Sequence, residues 1–151
     1  MLNDSMDVEW LIVADAAEVV GNKLYVLGGG WDMLTVNTGF PVKQRMAIAA
    51  AFRIPWNDTN QRHRFKLEIT DEDGHRTFGE ISGELEAGRP PGIPAGSAQR
   101  AQIAVNIDLE LPAAGTYEIR GQVEGREPKR VVFRVVPGAM LLVRQPDQAG
   151  S

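Results

Sequence analysis

Period-two alternation of bulky apolar and polar side chains is the feature that most restricts how this chain can fold. Phe65, Leu67 and Ile69 alternate with Arg64, Lys66, Glu68 and Thr70. Successive strand residues point to opposite faces, so such a run buries one face and wets the other. The period returns at Ile103, Val105, Ile107, Leu109 and Leu111, set against Ala104, Asn106, Asp108 and Glu110. Val131, Phe133 and Val135 repeat it. A variant occurs where Met46, Ile48, Ala50, Phe52 and Ile54 alternate with Arg45, Ala47, Ala49, Ala51 and Arg53. One face of that strand is bulky and the other small enough for a second element to approach closely. The expected neighbour is internal, with another subunit as the alternative. None of these runs has the spacing near 3.6 that a helix requires.

Turn residues separate the runs. Gly21-Asn22 fits a tight hairpin between a first strand at Val8–Val20 and a second at Leu24–Leu27, because both residues tolerate positive φ. Asp15 falls within that first apolar strand, where an edge position or a backbone bond is expected of it. Gly28, Gly29 and Gly30 then precede Trp31, and glycines in strand-like sequence mark a bulge or a close backbone approach. At least one should hold positive φ or sit against another backbone, with Trp31 covering the gap. Met33–Val36 is expected to continue the strand until Thr38-Gly39-Phe40-Pro41 breaks it. Asp73-Gly74 closes a second hairpin onto a strand at Arg76–Glu86. Pro112 and Gly115 turn the chain into Tyr117, Ile119 and Val123, and Met140–Val143 suits a short edge strand.

Seven to nine short strands without a helical pattern predict an all-β sandwich or barrel. Leu111-Pro112-Ala113-Ala114-Gly115-Thr116-Tyr117 has the form of a tyrosine corner, with a tyrosine early in the penultimate strand bonding backbone upstream. It favours a two-sheet antiparallel, immunoglobulin-like sandwich without the antibody cysteine pair. The Tyr117 hydroxyl should meet backbone near Leu111 or Pro112, and Phe52, Phe65, Leu67, Ile107, Tyr117 and Phe133 should be buried. The length of 151 residues suits one domain, placed at 1–144, with 145–151 as a flexible tail.

Composition removes several functions. The chain has no cysteine, which excludes disulfides, thiolate metal sites and cysteine nucleophiles. Sixteen basic against twenty acidic residues give a net charge of -4, so no basic excess steers it to nucleic acid. No apolar run approaches membrane-spanning length. Met1–Glu9 lacks the basic and apolar regions of a secretory leader, making the cytoplasm the default expectation.

Chemistry-bearing motifs are sparse. His63 and His75 flank one hairpin and are expected to be solvated rather than joined by a metal. Asp71-Glu72-Asp73-Gly74 lacks the regular spacing of a calcium loop. There is no Gly-x-Ser-x-Gly elbow, and no Gly-Lys-Ser/Thr follows the three glycines. No catalytic residue, cofactor or metal is therefore expected. The atypical stretch is Gly88–Arg100, long, Pro/Gly-rich and without a regular pattern. Such loops are enriched in function, and its prolines would present Arg89, Ile93 and Arg100 in an ordered way. Arg89, Pro90, Pro91, Ile93 and Arg100, with Trp31, form the candidate binding surface. The competing reading is a stiff crossover between sheets.

Taken together, Ala14-Asp15, Gly21-Asn22-Lys23-Leu24, Gly28-Gly29-Gly30-Trp31-Asp32, Pro55-Trp56, Asp71-Glu72-Asp73-Gly74 and Gly88-Arg89-Pro90-Pro91-Gly92-Ile93-Pro94 resemble an uncharacterised, actinobacteria-rich bacterial family, a domain of unknown function. The resemblance implies one-domain architecture and supplies no catalytic residues. The leading expectation is a non-catalytic β-sandwich binding or scaffold module with a protein partner or self-association. The alternatives are a structural subunit of a larger phage- or secretion-related assembly, and a hydrolase or lyase with a dispersed site.

Overall fold

A computed structural model describes residues 5–139. They form nine strands, β1 (Asp7–Val20), β2 (Lys23–Gly29), β3 (Met33–Val36), β4 (Val42–Ile54), β5 (Arg62–Asp71), β6 (Thr77–Glu86), β7 (Gln99–Leu111), β8 (Gly115–Val123) and β9 (Lys129–Pro137). The sheets have the orders β2-β1-β4-β7 and β3-β9-β8-β5-β6. The edge strand expected at Met140–Val143 and the tail at 145–151 lie outside the described residues.

The topology is that of an immunoglobulin-like sandwich. The run β1-β4-β7 matches strands A, B and E, while β9-β8-β5-β6 matches G, F, C and C′. The tyrosine corner stands where this mapping requires it, at the turn from β7 to β8. The Tyr117 hydroxyl donates to the Ala113 carbonyl at 2.7 Å, one residue beyond the expected Leu111 or Pro112. The adjoining Tyr117, Phe133 and Phe78 rings lie 5.5 and 5.2 Å apart between centroids.

The inner faces of both sheets supply the main core, including Val13, Met46, Ile48, Phe52, Leu67, Ile69, Ile119 and Phe133. Phe52, Leu67, Tyr117 and Phe133 are buried as expected, whereas Phe65 and Ile107 are only partly so. The cause at Ile107 is the open side of the sandwich. There β6 and β7 end their respective sheets among the described residues, leaving a gap of about 180 Å³ beside Ile107, Phe78 and Gly79.

Two expectations need correction. Met33–Val36 does not continue β2: it crosses to the other sheet and pairs with β9. That pairing is parallel, so the sandwich is not wholly antiparallel. The glycines cause the crossing. Gly28 and Gly30 have φ of 60° and 81°, and the Gly30 N–H donates to the Val13 carbonyl at 2.7 Å. At Gly28 the Asp15 carboxylate occupies the space a Cβ would need. Trp31 then packs edge-on against Phe133, with ring centroids 5.6 Å apart.

Candidate functional site

The small face of β4 meets an internal neighbour. The β1–β4 pairing runs from Asp7 with Arg53 to Ala14 with Ala47, and the part of β1 after Ala14 leaves that ladder. Together with β2 it lies over the outer face of its own sheet. Ala14, Ala17, Ala47 and Ala49 form a second buried cluster there, joined by Trp10, Ile12, Leu24 and Ala104. Methyl side chains let the two layers of backbone come close. The Asn106 carboxamide on β7 pins the hairpin at Ala17. It accepts from the Ala17 N–H at 3.2 Å and donates to the Ala17 carbonyl at 2.8 Å. Gln102 Nε2 donates to the Asn22 carbonyl at the tip, at 2.9 Å.

This arrangement buries one side of the hairpin and leaves the other outside. Gly21 and Asn22 have φ of 58° and 62°, the two-residue turn with both central residues left-handed that suits a twisted hairpin. Such a turn makes Val20/Lys23, Glu18/Tyr25 and Ala16/Leu27 the pairs that exchange hydrogen bonds within the observed register. The N–H and C=O groups of Leu24 and Val26 therefore point away from β1, where β2 is the last strand of its sheet among the described residues. Leu27 is 72% exposed and Tyr25 55%, with Val20 and Val26 also exposed. A shallow recess of about 540 Å³ runs between these side chains and Ala104 and Asn106.

The residues expected to form a binding surface are dispersed. The Arg89 guanidinium lies 3.8 Å from the Trp56 ring centroid. It donates from Nε to Thr59 Oγ1 at 2.7 Å and from Nη2 to the Trp56 carbonyl at 2.8 Å. Pro90, Pro91 and Ile93 belong to a turn closed by the Ile93 N–H and the Pro90 carbonyl. A second turn joins Ser97 to Pro94, and left-handed Gly92 and Gly96 occupy the third position of each, as type II turns require. Arg100 sits on β7 in a bidentate pair with Glu9, at 2.7 and 2.6 Å. Hydrogen bonds from Arg100 hold the Glu9 carboxyl below the usual carboxylate range, outweighing the upward pull of burial. Trp31 is at the β2–β3 crossing, with its Nε1 shielded and unpartnered.

Several titratable groups are paired. Glu118, the buried carboxylate, takes a close hydrogen bond from Arg120 and has Arg130 at 3.9 Å. His63 Nε2 bonds to the Asp58 carbonyl at 2.7 Å. His75 lies beyond the opposite end of β5, and the eight steps from His63 to Asp71 alone span about 26 Å. The two histidines do not share a metal. At the acidic hairpin tip the Asp71 carboxylate accepts from the His75 N–H at 2.8 Å. Burial pulls its pKa upward, yet the N–H groups of Arg76, His75 and Gly74 and the His75 charge bring it below the usual value. No group of three or more His, Asp or Glu among the described residues is placed to hold a metal.

The sequence reading missed the β2 edge, although its four apolar residues and uncharged centre are visible in Leu24-Tyr25-Val26-Leu27. No described helix is long and apolar enough to cross a membrane. No curated protein matches the chain. The model of a family of unknown function, DUF6941, matches residues 9–136, which cover both sheets, the hairpin and the Pro/Gly loop, and the chain belongs to that family.

Proposed function

We propose that this chain is a non-catalytic binding or scaffold module of the bacterial cytoplasm that engages protein through the open edge of β2. The observation carrying this reading is the strand Leu24–Leu27, which ends its sheet among the described residues, with Tyr25 and Leu27 more than half exposed. Edges of this kind recruit an extended strand, main-chain bonds giving affinity and side chains giving specificity. The net charge of -4 supports a protein rather than a nucleic-acid partner. Glu9 and Glu118, held by Arg100 and Arg120, and His63, bonded to the Asp58 carbonyl, favour a non-catalytic role for these groups over a dispersed hydrolase or lyase site.

The loop at 88–100 serves as a brace in this proposal. Arg89 is occupied by Trp56 and Thr59, and Arg100 by Glu9. Gln99 Nε2 also donates to the Gly88 carbonyl at 2.6 Å, tying the loop's ends together. The test is site-specific photo-crosslinking in the native host, with a photoreactive residue at position 27 or 93. Protein adducts from position 27 and none from 93 are expected. Adducts from 93 alone would return the binding surface to the loop.

A further inference from the structure

We infer that the occupant of the β2 edge is β2 of a second copy, paired antiparallel about a two-fold axis at Val26. The inference rests on the hairpin reading above and names its partner. Four strands end the two sheets among the described residues, β2, β7, β3 and β6. Charges interrupt β6 (Glu80, Glu84, Glu86) and β7 (Arg100, Asp108, Glu110), and β3 has only four residues. Charge and shortness are the devices that keep edges from pairing. Between Leu24 and Leu27, β2 has neither, and its required occupant is another uncharged, apolar strand with a free edge. The chain itself provides one.

The pairing closes on itself. With Val26 opposite Val26, each outward-facing N–H and C=O there finds its complement, and Tyr25 of one copy stands beside Leu27 of the other. Lys23 falls opposite Gly29, leaving the two Lys23 residues six positions, about 20 Å, apart along the ladder. That exceeds the screening length of about 8 Å at physiological salt, so they do not oppose association. Such an interface uses the same patch twice and stops at the dimer. It is smaller than the standard of about 800 Å² per partner, so association is weak and visible only at high concentration.

Sedimentation velocity on the full chain, from micromolar to near-millimolar concentration, tests it. The wild type should move from 16.5 kDa toward twice that mass. Val26→Pro removes an outward N–H that the hairpin does not use, and edge positions tolerate proline. Leu27→Lys places charge at the exposed position. Both should weaken association at least tenfold with unchanged circular dichroism and Tm, and Leu27→Lys alone decides should Val26→Pro misfold. A wild type monomeric throughout, or variants that dimerise as well as it does, would overturn the inference. A monomer whose position 27 still crosslinks to another protein would leave the module reading standing. A monomer without such a crosslink would overturn both.

Discussion

Asn106→Ala should loosen the hairpin from the outer face of the sheet. The carboxamide satisfies both main-chain groups of Ala17, at 3.2 and 2.8 Å. An intramolecular hydrogen bond contributes about 0.5–1.5 kcal/mol net, more when a buried partner is stranded. These two bonds are only part-buried, so water recovers some of the loss and about 1–2 kcal/mol is expected. For a domain of this size that corresponds to a fall in Tm of about 2–8 °C. Asn106→Asp sharpens the test. Its carboxylate still accepts from the Ala17 N–H but faces the Ala17 carbonyl with no proton to donate. The folded state then raises the new carboxyl's pKa. Stability is fullest below the unfolded value of about 3.9 and falls as pH rises through the folded value. Urea titrations of both variants at neutral and acidic pH measure this. Asn106→Asp should recover toward wild type in acid, while Asn106→Ala should not. Midpoints unchanged for both would refute the clamp.

Gly79→Ala places its methyl 3.5 Å from Leu109 Cδ1 beside the gap between β6 and β7, and should stabilise by about 0.4–1 kcal/mol in denaturant titrations. Gly83→Ala, four residues on, meets the Phe65 ring at 2.7 Å and should lower the same midpoint. Tyr117→Phe should cost about 0.5–1.5 kcal/mol at neutral pH by removing the bond to Ala113. Burial raises the Tyr117 pKa above 10.0, against the lowering effect of that bond and Arg76. Wild-type stability should therefore fall as pH rises beyond 10.0, and the variant should lose that part of the alkaline decline. The depressed Glu9 pKa works in the opposite direction: its stabilisation is present above 4.5 and is lost as pH falls through the folded value. Arg100→Ala should accordingly flatten the acid limb of the stability–pH curve.

The strands were legible because their alternation is a one-dimensional record of a two-faced sheet. Tyr117 was legible because a corner is local, closing over the four residues from Ala113. What escaped were relations between distant segments. Met33–Val36 is as strand-like as β2, and nothing within it says that it pairs parallel to β9. Asn106 read as a solvent-facing residue of an amphipathic strand. Its partner, Ala17, is 89 positions away, beyond any periodicity. The alanine face of β4 did announce a close neighbour, and Ala14 and Ala17 supplied it. Pro91-Gly92 and Ala95-Gly96 carried turn signals, but the stacking of Arg89 on Trp56 depends on where the chain returns. Arg89 thus looked available in sequence and is engaged in the fold.

Amide hydrogen exchange along β2, measured by NMR on dilute protein, tests directly whether this edge is open. An open edge gives an alternating record. Tyr25 and Leu27, bonded to β1, should exchange slowly, while Leu24 and Val26, facing outward, should exchange rapidly until concentration rises. Uniform protection of all four in the dilute sample would mean that the edge is already covered within the chain, and would contradict the account.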